Sequence, residues 1–78
     1  MSRDIREIER QIERAARWAA KWRNLEEEAL EVACAMRDPE ARRQMQLISE
    51  GYRLLAERAE ERRERLAARA AAIKLGPC

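Results

Sequence analysis

Histidine and phenylalanine are absent from the 78 residues, and glycine, proline and cysteine occur only twice each. Each scarcity closes off a kind of chemistry. Without histidine there is no imidazole base to activate a serine or cysteine, and no imidazole metal ligand. The Glu-x-x-His motifs of di-metal carboxylate bundles are excluded for the same reason. Serine stands only at Ser2 and Ser49, neither in a glycine-rich elbow. Cys34 and Cys78 have no metal-ligand spacing. No catalytic group, metal site, cofactor site or small-molecule substrate is therefore expected.

Long apolar runs are missing too. The stretch from Val32 to Met36 is among the longest and is far too short to cross a bilayer. The start, Met1-Ser2-Arg3-Asp4, leads directly into a charged amphipathic pattern unlike a signal peptide. The expectation is a cytoplasmic protein without membrane contact. Neither charge sign dominates: 17 basic residues stand against 15 acidic ones, for a net charge of +2. That is far from the dense positive field of a dedicated nucleic-acid binder.

What remains is a chain 41% charged and 46% hydrophobic, with a mean hydropathy of −0.76. The regular spacing of the apolar residues argues against disorder. Richness in Ala, Glu, Arg and Leu at helical spacing fits a long-helix or coiled-coil protein. One strong interruption precedes the C-terminal tail, Met36-Arg37-Asp38-Pro39-Glu40. Asp38 can accept a hydrogen bond from a free first-turn N–H, and Pro39 suits the first position of a helix. The chain thus reads as one all-α domain, an antiparallel two-helix hairpin. Helix 1 is expected over about residues 3–36, the turn over 37–39, helix 2 over about 39–74 and a tail over 75–78. A third helix would need a break near Asn24 or Gly51, where turn chemistry is lacking.

In helix 1, Ile5, Ile8, Ile12, Ala15, Ala19 and Trp22 alternate at spacings of three and four. Strict continuation would put Glu26 in the seam, which is unfavourable for a charge without a partner. A flanking row through Trp18, Trp22, Leu25, Ala29, Val32 and Met36 restores the alternation. A wider apolar face, broadened by Ala16 and Leu30, is preferred here over a shift of the seam. Helix 2 offers Ala41, Met45, Ile48, Tyr52, Leu55, Ala59, Leu66 and Ile73 in one frame, interrupted by Arg62 and Arg69. Folding about Asp38 pairs residues whose numbers sum to about 77. Leu25 or a tryptophan is then the candidate to pack against Gly51, which otherwise weakens the helix by up to about 1 kcal/mol. The candidate core and interface residues are Ile5, Ile8, Ile12, Trp18, Trp22, Leu25, Val32, Met36, Met45, Ile48, Tyr52, Leu55 and Leu66.

One shared interface makes a thin core. Single cores at this size supply only about 3–5 kcal/mol, and a hairpin less. Rows containing Trp18, Leu25, Leu30, Leu47 and Leu54 would lie exposed, as an interface does. A twofold homodimer forming a four-helix bundle is the simplest closure, with a further protein partner as an addition. Cys34 near the turn and Cys78 at the open end are too far apart for an intrachain disulfide, so reduced thiols are expected. Arg37 on the same side as Cys34 would favour a thiolate. Arg58, Arg62, Arg65 and Arg69 form a ridge that could contact nucleic acid, with Arg10, Arg14 and Arg17 a shorter one on helix 1. The interleaved Glu57, Glu60, Glu61 and Glu64 favour a salt-bridged exterior instead. Glu13 with Arg17, Arg53 with Glu57 and Glu61 with Arg65 have pairing distance along a helix. The runs Glu26 to Glu28 and Glu60, Glu61, Glu64 read as solvated charge, not as catalytic carboxylates.

The stretches Asp38-Pro39-Glu40-Ala41-Arg42-Arg43-Gln44, Ser49-Glu50-Gly51-Tyr52 and Leu55-Ala56-Glu57-Arg58-Ala59-Glu60 carry a likeness. With Cys34 ahead of the turn, residues 30–62 resemble a group of short uncharacterised bacterial helical-hairpin proteins. That resemblance implies a helical hairpin and brings no activity or substrate. A designed bundle would share this composition, but Gly51, the scattered Met and Gln, and the arginines in the seam are less regular than an idealised design.

Overall fold

A computed structural model describes residues 2–76, with side chains from residue 4 onward. Pro77 and Cys78, the end of the expected tail and one of the two cysteines, lie outside the described residues. Two helices fill the described chain: α1 (Ser2–Ala35) and α2 (Pro39–Leu75). They fold against each other into a rod of 62 × 15 × 11 Å, measured on Cα atoms. Both helices run without a break through Asn24 and Gly51, so no third helix forms.

The turn works as its residues dictate. Asp38 adopts extended backbone (φ −71°, ψ 120°), and its carboxylate accepts a hydrogen bond from the Ala41 N–H at 3.2 Å. Pro39 takes the first helical position, where its missing N–H leaves nothing unpaired. The end of α1 is held from the other side of the turn. Arg42 donates from Nε and Nη2 to the Met36 carbonyl at 3.2 and 2.7 Å, and a cation suits a helix C-terminus. At the far end Gly76 adopts φ 70°, a left-handed conformation that glycine enters freely. Its N–H donates to the carbonyls of Ala72 and Ile73.

The seam is made of small side chains. Ile8, Ala15, Ala19, Ala29 and Ala33 are buried on α1, and Ser49, Ala56 and Ala70 on α2. Ala56 has no exposed surface and Ala33 only 2%. Half-buried Ile5, Ile12, Trp22, Leu25, Met36, Met45, Tyr52, Ala59 and Leu66 close over this row. Alanine at the contact brings helix axes toward the short end of the usual separation of about 8–10 Å. Larger residues are thereby displaced to the flanks.

This corrects the expected core in two places. On α1 the three-four alternation continues strictly through Glu26, Ala29, Ala33 and Met36, with no shift. Glu26 does sit at the seam, its side chain 16% exposed, because Arg23 partners it at 3.0 Å. On α2 the row of Met45, Tyr52, Ala59 and Leu66 lies at the seam, but its companion row is Ser49, Ala56 and Ala70. Ile48 and Leu55, expected there, are 45% and 38% exposed. Trp18, Val32 and Ile73 are likewise exposed rather than core. The chosen companion row is the one whose side chains are small enough for the close approach.

Candidate interaction face

The two edges of the hairpin differ in chemistry. Along one, residues of the two helices are joined by ion pairs. Arg23 donates from Nε and Nη2 to the two carboxylate oxygens of Glu60 at 3.1 and 2.9 Å, while its Nη1 reaches Glu26 at 3.0 Å. A second such link lies two heptads further toward the open end, where Glu9 and Lys74 meet at 3.6 Å. The Arg23 guanidinium holds the Glu60 carboxyl below the usual carboxylate range, and Glu60, then Glu26, push Arg23 higher still. Leu30 is the exposed apolar residue of this edge.

The opposite edge carries the large apolar side chains. Trp18, Leu25 and Val32 recur at seven-residue spacing on α1, and Ile48 and Leu55 do so on α2. Leu25, Val32, Met45, Ile48 and Tyr52 line one groove there, with Ala29 at its floor and Glu28 on its rim. Toward the open end the rows become basic: Trp18 shares a second groove with Gln11, Arg14, Ala59 and Arg62. Lys21 lies over the Trp18 ring at 5.0 Å, a cation–π contact. The aromatics form a ladder across the hairpin. Trp18 stacks on Trp22 at 5.7 Å between centroids, and Trp22 on Tyr52 of α2 at 5.9 Å. Leu47 and Leu54 extend the apolar surface around the back of α2, with Gly51 between them. A Cβ built on Gly51 meets nothing within 4 Å, so neither Leu25 nor a tryptophan packs on it.

The remaining candidates do not converge. Glu27, Glu28, Glu61 and Glu64 are exposed, while Glu26 and Glu60 are bound to Arg23. Among the described residues no group of three or more acidic or cysteine side chains gathers as a metal site would require. Cys34 is exposed, as is Arg37. Arg58, Arg62, Arg65 and Arg69 are all exposed, and among the described residues none of them makes an ion pair. Of the three expected pairs along a helix, Arg53 and Glu57 meet at 3.1 Å, whereas Glu13–Arg17 and Glu61–Arg65 do not form. Among the described residues no helix is long and apolar enough to cross a membrane.

Sequence reasoning missed the Arg23–Glu60 link and the small-residue seam. The signal for the first was present: an arginine three residues before the troublesome Glu26, and a glutamate in the matching flanking row of α2. Comparison with family models, with curated proteins and with solved structures finds no match to the chain.

Proposed function

We propose that the chain is a cytoplasmic, non-enzymatic helical module that associates with itself as a four-helix bundle and offers a helical surface to a protein partner. One observation carries this reading. Among the described residues no large side chain is fully buried, and the buried apolar set is Ile8 with six alanines. Burial contributes about 25 cal/mol per Å² of apolar surface, so alanines supply little of the stability a fold requires. The groups able to supply it, Trp18, Val32, Ile48 and Leu55, lie together along one edge, where a second hairpin would cover them.

Sedimentation equilibrium across a concentration series tests the reading. A mass of twice 9.2 kDa is expected, falling toward 9.2 kDa on dilution. A well-folded protein of 9.2 kDa at every concentration overturns it.

A second reading, a small nucleic-acid-associated regulator, has one observation in its favour: Arg58, Arg62, Arg65 and Arg69 are exposed and free of ion pairs among the described residues. Retention of DNA or RNA that is lost with added salt would support it. No retention at low salt removes it.

A further inference from the structure

The apolar edge is self-complementary in one orientation only, and we propose that two copies pack antiparallel, with their turns at opposite ends and the twofold axis passing beside Leu25. The inference rests on the self-association proposed above and specifies its geometry.

Three observations meet at one level of the hairpin. Trp18 and Val32 lie equally far from Leu25 in sequence, seven residues to either side. On α2, Ile48 and Leu55 lie to either side of Tyr52, which lines one groove with Leu25. A twofold axis there maps the patch of each helix onto itself. An isologous interface requires that property.

Charge decides the direction. The grooves of this edge differ in charge: Arg14, Arg17, Lys21 and Arg62 surround Trp18, whereas Glu28 is the charged residue lining the groove of Leu25 and Val32. With turns at the same end, the basic surroundings of Trp18, including Arg14, Lys21 and Arg62, would lie over the same residues of the other copy. With turns at opposite ends, residues whose numbers sum to about 50 lie across from each other. Lys21 then faces Glu28 of the partner subunit. Trp18 comes over the partner's Val32, where the groove of Leu25, Met45, Ile48 and Tyr52 is open to receive an aromatic ring. Each copy gives one tryptophan and one groove. Like charges placed opposite each other disfavour the alternative.

The test uses exposed positions that leave the hairpin's own seam untouched. Lys21→Glu alone and Glu28→Lys alone should each raise the dimer dissociation constant about tenfold, because each puts two like-charge pairs in the symmetric interface. Mixing the two variants should restore wild-type affinity as a heterodimer, and so should the Lys21→Glu, Glu28→Lys double variant. Helicity of each variant at high concentration should match the wild type. Dimers that ignore both single reversals, or that are weakened by them without rescue on mixing, overturn the antiparallel arrangement while self-association stands. A wild type that stays monomeric overturns both.

Discussion

Arg23 of α1 holds both carboxylate oxygens of Glu60 on α2, at 3.1 and 2.9 Å, and the same guanidinium satisfies Glu26 at the seam. A charged side chain at a helix–helix contact is tolerated here because its partner is supplied from its own helix and anchored by the other. The Glu60 carboxyl is held below its usual range by Arg23, and that of Glu7 by Arg10 and Gln11. A carboxyl with a lowered folded pKa stabilises the fold fully above its unfolded value and loses that contribution as pH falls through the folded one. Melting midpoints should therefore be level above about pH 5 and decline below about pH 4, with a smaller decline in Glu60→Gln. Thermal scans followed by circular dichroism check this; an identical acid slope in the two proteins would remove the bridge from the account.

The hairpin itself was legible, because Asp38-Pro39 and Gly76 are punctuation with a direct backbone meaning and the two helices are uninterrupted. One seam row of each helix was legible as well. The companion row of α2 was not, because ranking by hydrophobicity favours Ile48 and Leu55 over Ser49 and Ala56. Helix proximity inverts that ranking: where backbones come close, small residues fit the contact and large ones serve the flank. Glu26 was misjudged for a related reason. Its partner Arg23 is visible three residues earlier, but the anchor Glu60 belongs to another helix. Of the apolar edge only Trp18 and Leu25 were foreseen in an exposed row; Val32, Ile48 and Leu55 were expected in the seam, and their separation from an ion-paired edge needed the register of both helices.

Ala56 lies in the small-residue seam, with no exposed surface. Replacement by leucine adds volume where the seam has none to give. Ala56→Leu should lower stability by about 1–3 kcal/mol, the usual effect of overpacking, despite greater side-chain hydrophobicity. Urea unfolding gives the measurement, and a stabilised variant would show that the helices are not held together by small residues.

Gly51 lies in open space on a helix that continues through it. Its backbone is helical and a methyl group meets nothing, so Gly51→Ala should stabilise α2 by about 0.5–1 kcal/mol. That effect comes chiefly through the unfolded chain, which loses freedom when glycine is replaced. The comparison should be made at concentrations below association, where only the hairpin is read. A destabilised monomer would mean that the glycine conformation, not its emptiness, is needed there.

Trp22 is the rung between Trp18 and Tyr52, stacked on both, and is half-buried. Trp22→Ala removes two aromatic contacts worth about 0.5–1.5 kcal/mol each and the apolar area beneath the ring. A loss of about 2–4 kcal/mol is expected, at the lower side of what a fully buried tryptophan gives. Because Trp18 leans on Trp22 and itself belongs to the apolar edge, the same substitution should also weaken self-association. Trp18→Ala separates the two effects: Trp18 is exposed and not in the seam, so helicity at low concentration should change little while dimerisation falls. Sedimentation and circular dichroism on the same two samples read both quantities. Equal loss of helicity in the two variants would place Trp18 in the hairpin core and leave the apolar edge without its largest contact.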